Sequence, residues 1–352
     1  MSTAVTRRRW RHALARVAGV ERASRELPAR IRPERFTYAG RAAWATPAGR
    51  AVLPRGSGAE DEDGTVRARV GAEAVLVGKF DVHREVRLRA FYPQRGVTQR
   101  YQTGTGTGPR HGVERIVDAW RSVSPHDPGL MPEVLDDGVR RRGRGAWLVE
   151  RTVLGRPARK SQVPLLVEPV TARLHRVQRE VGIGSRRLSD IVSPRFVRLW
   201  QQFAQGHVLD PALVARVDAL VGRDDLVEVS LGHGDLVGSN ILLTGDRPTD
   251  GFVLIDWEFA GERPIAFDLA KLHLACEDHA AAEEALERGL RRPLGGGPGH
   301  YTFPEQVALA HVQALSWHDV RREKAEAAGR VTALEQMTAR RIDSVAQLLG
   351  VG

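Results

Sequence analysis

The sequence predicts a bilobal α+β protein, with a smaller antiparallel-sheet lobe followed by a larger, mostly helical one. Three observations predict it. Residues 36–92 break into short apolar and β-branched runs that alternate at period two between turns, the texture of an antiparallel sheet. Beyond 157 the chain reads as a series of helical segments, apolar residues recurring at helical spacing. Between these textures stand one apolar run, Ala146–Glu150, and the step Gly155-Arg-Pro157, where a chain passes from one lobe to the next along a cleft.

Taken in order, residues 7–30 read as a basic helix that stops near Pro28 and Pro33. Strand runs follow at 50–53, 65–70, 74–77 and 86–91, interrupted by Gly56-Ser-Gly58 and the acidic stretch Glu60–Asp63. The Thr-Gly repeat at 103–108 reads as a flexible linker, because no strand closely precedes it and no Gly-Lys-Ser/Thr ends it. Val113, Ile116, Val117 and Trp120 share one face of a helix over 111–123. The second part should carry helices at 168–181, 194–205, 211–222, 264–290, 304–320 and 330–349, with short strands near 240–244 and 252–256. The expected organisation is a basic segment at 1–35, a first lobe at 36–150 and a second lobe at 151–352.

Composition narrows the function classes. The chain has 352 residues, 42% hydrophobic and 27% charged, which is globular and long enough for a sizeable core. The lone cysteine, Cys276, excludes an internal disulfide framework and a four-thiolate zinc site. No apolar run is long enough to span a membrane, and Arg16 interrupts the first apolar residues too soon for a secretory segment, so a cytoplasmic protein is expected. The net charge of +10 is built almost entirely on arginine, since only Lys79, Lys160, Lys271 and Lys324 are lysines. Even Arg140-Arg141-Arg142-Gly143-Arg144 reads as a solvated loop, so nucleic-acid binding is disfavoured. The scarcity of lysine makes each lysine informative.

The chemistry concentrates in Leu231-Gly-His-Gly-Asp-Leu-Val-Gly-Ser-Asn-Ile-Leu-Leu243 and in Phe252-Val-Leu-Ile-Asp-Trp-Glu258. Asp235 and Asn240 sit five apart on a glycine-rich loop, and Asn240 opens an apolar strand. After the turn at 245–251 a second apolar strand ends in Asp256. A hairpin of this length folds Asp256 back beside Asn240, so three oxygen-bearing side chains converge at one end. A few hard oxygen ligands suit Mg²⁺, which keeps waters and borrows other ligands from substrate phosphates.

His-Gly-Asp-x4-Asn followed by Ile-Asp-Trp-Glu resembles the signature of the aminoglycoside phosphotransferase and choline kinase-like family. The Asp-x4-Asn spacing is similar to the catalytic loop of protein kinases, and Ile-Asp-Trp-Glu stands where those enzymes carry Asp-Phe-Gly. Gly261, Pro264 and Asp268-Leu-Ala270 extend the resemblance downstream, and Trp147–Pro157 looks like the family's inter-lobe hinge. The likeness is firm over 146–272 and weaker over 65–145.

The resemblance implies a protein-kinase-like fold and an ATP- and Mg²⁺-dependent transfer of phosphate to a small-molecule hydroxyl. By it, Asp235 orients the acceptor hydroxyl, while Asn240 and Asp256 hold the metal. His233 supports the loop, Asp268 anchors it from the next helix, and Glu150 and its neighbours offer backbone groups to adenine. Lys79, the only lysine before the hinge, is the candidate for the phosphates; Arg89 is the alternative if the strand at 86–91 takes that place. Glu114 is the better-placed acidic partner, with Glu85 a second choice.

Blander readings stand beside these. Glu258 is either a second acid near the site or a solvated residue. His175, Trp200 and Trp257 read as core, Cys276 as an inert buried thiol, and the pairs Glu277-Asp278 and Glu283-Glu284 as a wet helix face. Two competing functions remain open at this point: a catalytically silent kinase-like binding module, and a polyanion-binding protein.

Overall fold

The computed structural model describes strand segments within residues 34–103, then residues 112–139, 145–151, 153 and 155–351 apart from 293. The basic helix expected over 7–30, the repeat beyond Thr103, Glu85 and the Arg140–Arg144 cluster lie outside the described residues. The chain divides into two compact units, one holding residues 1–124 and 131–154, the other 125–130 and 155–352.

In the first unit, a three-stranded antiparallel sheet of β1 (Glu34–Tyr38), β2 (Arg41–Thr46) and β3 (Gly49–Val52) comes first. A second sheet contains β4 (Val66–Arg67), β5 (Val75–Phe80), β6 (Val86–Tyr92), β7 (Val97–Thr103), β8 (Val134–Val139) and β9 (Gly145–Arg151). Its order is β4-β5-β6-β7-β9-β8, with every neighbour antiparallel. Helix α1 (Gly112–Val123) connects β7 to β8 and buries Val113, Ile116, Val117, Ala119 and Val123.

Strand β7 corrects the expectation that no strand runs up to the Thr-Gly repeat. Its buried residues, Thr98, Arg100 and Gln102, alternate at period two but are polar, so hydrophobic patterning does not reveal them. They are satisfied locally. Arg100 Nε donates to Glu150 Oε1 on β9 at 2.7 Å, and Gln102 Oε1 accepts from the Val113 backbone N–H of α1 at 3.3 Å.

From residue 155 the second unit carries β10 (Arg156–Pro157) and helix α2 (Val163–Val181), whose Leu166, Val167, Val170, Leu174 and Val177 form a fully buried stripe. The helix starts five residues earlier than expected, since Pro164 suits a first turn that needs no amide donor. There follow β11 (Gly184–Arg187), α3 (Leu188–Ile191), α4 (Phe196–Gly206), α5 (Pro211–Gly222), β12 (Leu226–Gly232), β13 (Ile241–Leu243), β14 (Phe252–Leu254) and β15 (Gly261–Pro264). The chain closes with α6 (Ile265–Ala275), α7 (His279–Leu290), α8 (Phe303–Ser316), α9 (His318–Ala328) and α10 (Val331–Leu348).

Two expected long helices are thus each divided. The helix expected over 264–290 breaks at Cys276–Asp278, where the Asp278 side chain accepts from the Ala281 N–H at 3.0 Å and starts α7. The one expected over 304–320 breaks at Trp317. Strands β11, β12 and β15 were not expected. They form one sheet with β12 in the middle; its residues Val227-Glu-Val-Ser230 alternate apolar and polar at period two, yet all four are buried.

Residues 125–130 are held within the second unit. The Asp127 carboxylate accepts from Arg173 Nε and Nη2 and from Arg176 Nη2, each at 2.6 Å, and the Leu254 N–H donates to the Leu130 carbonyl at 2.8 Å. Burial alone would raise the Asp127 pKa, but the two guanidinium groups outweigh it and hold the carboxyl below its ordinary range. Among the described residues no helix is long and apolar enough to cross a membrane.

Candidate active site

The glycine-rich loop leaves the end of β12 at Gly232 and runs to a short turn at Gly238–Asn240 that feeds β13. Leu236, fully buried, fixes its middle. Gly234 takes a φ of +84°, and a Cβ there would stand 2.4 Å from the Phe259 carbonyl oxygen, so both conformation and space demand glycine.

Two groups tie the loop down. Asp268, in the first turn of α6 and almost wholly buried, accepts the backbone N–H groups of His233 at 2.5 Å and Gly234 at 2.9 Å. His233 is also buried; its Nε2 donates to the Ile255 carbonyl at 2.8 Å, and its Nδ1 accepts from the Asp235 N–H at 3.2 Å. That pattern requires a neutral imidazole. Burial pushes the His233 pKa down, against the opposing pull of Asp268, Asp235 and Asp256. Trp257 packs beside this ring, 4.6 Å between centroids, and donates Nε1–H to the Leu254 carbonyl at 2.9 Å. It is core.

The β13–β14 hairpin brings the oxygen donors together. Ile241 pairs with Leu254, and the Ile255 N–H donates to the Asn240 carbonyl at 2.9 Å, which places Asp256 one residue past the partner of Asn240. Asn240 Nδ2 donates to the Asp235 carbonyl at 2.8 Å and lies 3.4 Å from Asp235 Oδ2. With its amide nitrogen so committed, the other end of Asn240, Oδ1, is the end available to a cation. Asp256 adopts a left-handed backbone at φ +70° immediately after the strand, a conformation aspartate tolerates better than most residues. Glu258 follows on the short turn Trp257–Phe259, half-buried.

Among the described residues no three His, Cys, Asp or Glu side chains form a metal cage. One amide oxygen and one carboxylate are a partial, hard donor set. This fits Mg²⁺, which retains water and takes further ligands from phosphate.

Sequence reasoning missed Lys271 on α6. Its Nζ donates to Asp235 Oδ1 and to the Gly234 carbonyl, both at 2.8 Å. Its rarity in this arginine-rich chain was the available signal. In the first unit, Lys79 lies on β5 and Arg89 on β6, and neither is on β7, the strand that precedes α1. The cation on β7 with a described side chain is Arg100, and no sequence pattern singled it out. Glu114 lies in the first turn of α1. Glu150 sits inside the ladder, opposite Thr98 on one side and Val134 on the other, and its side chain is engaged by Arg100.

The model of the phosphotransferase enzyme family matches residues 111–303. Solved structures similar to this chain include a microcompartment-associated aminopropanol kinase, at 16% identity and a TM-score of 0.51 over 78% of this chain and 92% of that one. The GDP and kanamycin complex of APH(2")-IIia gives 12% identity and a TM-score of 0.51 over 76% and 92%. The GDP complex of aminoglycoside 2'-phosphotransferase-IIIa gives 13% and 0.50 over 76% and 92%. At such identities the likeness establishes the protein-kinase-like fold. No curated protein sequence matches the chain significantly.

Proposed function

Because this chain belongs to the phosphotransferase enzyme family, we propose that it transfers the γ-phosphoryl group of ATP, with Mg²⁺, to a hydroxyl group of a small molecule. The observation that carries this reading is the grouping of Asp235, Asn240 and Asp256 at one end of a hairpin, on a loop pinned by Asp268. Asp235 would accept the acceptor's hydroxyl hydrogen and aim its oxygen at phosphorus. An aspartate is a weak base for an alcohol, but in a loose phosphoryl-transfer transition state the proton leaves late and aim matters more than basicity. Asn240 Oδ1 and the Asp256 carboxylate would hold Mg²⁺. When bound, the ion neutralises charge on the phosphates. Protein kinases carry their phosphate-pairing lysine on the strand before the first-lobe helix; here that strand is β7, and the role passes from Lys79 to Arg100.

Amine-bearing alcohols are the first acceptors to test, since similar folds include an aminopropanol kinase and a kanamycin complex. The test is a screen with γ-labelled ATP and GTP over hydroxyl-bearing amines, aminoglycosides and amino-sugars. Asp235→Ala should abolish transfer and leave nucleotide affinity nearly intact, while Asp256→Ala should weaken Mg²⁺-dependent nucleotide binding itself. Wild-type turnover by Asp235→Ala on a found acceptor sinks the assignment. One observation favours a second reading, a nucleotide-binding module without transfer: the cation on β7 is an arginine already tied to Glu150. Mg²⁺-dependent binding with no labelled product across the panel would select it.

A further inference from the structure

We infer that Lys271 is a positioning residue of this site, a clamp that fixes Asp235 in one rotamer and presents a single oxygen, Oδ2, to the acceptor. The inference rests on the phosphotransferase reading for its catalytic consequence, and on geometry alone for the clamp.

Asp268 and Lys271 stand three residues apart on α6 and so share a face. That face meets the loop with complementary chemistry. Asp268 accepts the two loop donors, the N–H groups of His233 and Gly234, and Lys271 supplies hydrogens to the two loop acceptors, the Gly234 carbonyl and Asp235 Oδ1. The left-handed turn at Gly234 aims that carbonyl at α6. A charge-assisted contact on Oδ1 stops the carboxylate from rotating, and Asn240 Nδ2 at 3.4 Å from Oδ2 is too long to occupy the other oxygen strongly.

Lysine suits this place better than arginine. Two acceptors that diverge from adjacent residues need a compact, rotatable donor, whereas a planar guanidinium favours paired acceptors in one plane. In a chain that uses arginine for 49 of its 53 cations, this is one of four lysines. The pair is also too exposed to matter much for folding, at 29% for Lys271 and 41% for Asp235. Exposed pairs contribute about 0–1 kcal/mol, so the contact bears on aim more than on stability.

The experiment uses the full chain with Lys271→Met and Lys271→Arg, reading Mg²⁺-dependent hydrolysis of ATP and GTP, with water as acceptor, and transfer to any acceptor found. Lys271→Met should lower kcat by up to roughly 100-fold, the scale of a small misplacement of a reacting group, with the nucleotide KM within about 3-fold, and Lys271→Arg should recover part of the loss. Hydrogen exchange over residues 232–243 should run several-fold faster in Lys271→Met. An active wild type whose Lys271→Met variant keeps its kcat overturns the inference and leaves the phosphotransferase reading standing. A wild type inert with both nucleotides and all acceptors sinks that reading instead; unchanged exchange in Lys271→Met then overturns the clamp as well, and faster exchange upholds it.

Discussion

Arg100 donates to Glu150 at 2.7 Å with both side chains buried, so the guanidinium is fixed by its pairing and by the sheet around it. Truncating one member of such a pair would strand a buried charge at a cost of about 3–5 kcal/mol, so the informative change keeps the charge. Arg100→Lys should weaken nucleotide binding about 10-fold, the effect of losing planar, forked recognition of phosphate. Lys79→Ala should leave binding within about 3-fold by titration calorimetry; the reverse ranking returns the phosphate role to Lys79. At this scale the sequence was legible where chemistry is local. Asp235, Asn240 and Asp256 are linked by a short loop and a hairpin, so spacing alone brings them together. Arg100 and Lys271 reach their partners across 50 and 36 residues, through a polar strand face and a helix face that hydrophobic patterning cannot register.

Helix α6 carries more than the loop anchors. Its opposite end buries His273, whose Nδ1 faces His311 Nε2 of α8 at 3.3 Å, while His311 Nδ1 accepts from Arg341 Nη1 of α10 at 3.0 Å. His279 of α7 stacks near His273, 4.8 Å between ring centroids. Beside a buried arginine these rings pack as neutral groups. Burial first, and repulsion from His279 second, push the His273 pKa down to about 4, and burial with Arg341 drives His311 lower than its ordinary value. An unfolded histidine titrates near 6.5. Between about 6.5 and 4 the unfolded chain therefore binds protons that the native helices refuse, and stability falls as pH falls. For His273 the full gap corresponds to about 3 kcal/mol. Thermal unfolding should thus show a Tm several degrees lower at pH 5 than at pH 7.5, a slope that His273→Gln reduces; a flat profile refutes the account. The break between α6 and α7 was hidden in the sequence because apolar spacing continues through Cys276–Asp278, and only the Asp278 cap marks it.

Across the whole molecule the broad plan was readable: sheet first, helices second, and a glycine-rich loop feeding a short hairpin in the latter. Strand β12 was legible in the alternation Val227-Glu-Val-Ser-Leu231 but passed over beside the helical stretches around it, whereas patterning could not supply the short excursion of residues 125–130, which belongs to a different unit from its neighbours in sequence. Asp127, bound by Arg173 and Arg176, secures that excursion, with Leu130 fully buried behind it. The polypeptide consequently passes between the units three times, after Ser124, Leu130 and Leu154. A protease that severs only the last passage should not liberate either piece, because the N-terminal fragment still carries the six residues 125–130 that belong to the second unit. Nicked protein should elute from a sizing column as one species and part into two bands only in denaturant, and Asp127→Asn should make the fragments drift apart at lower urea.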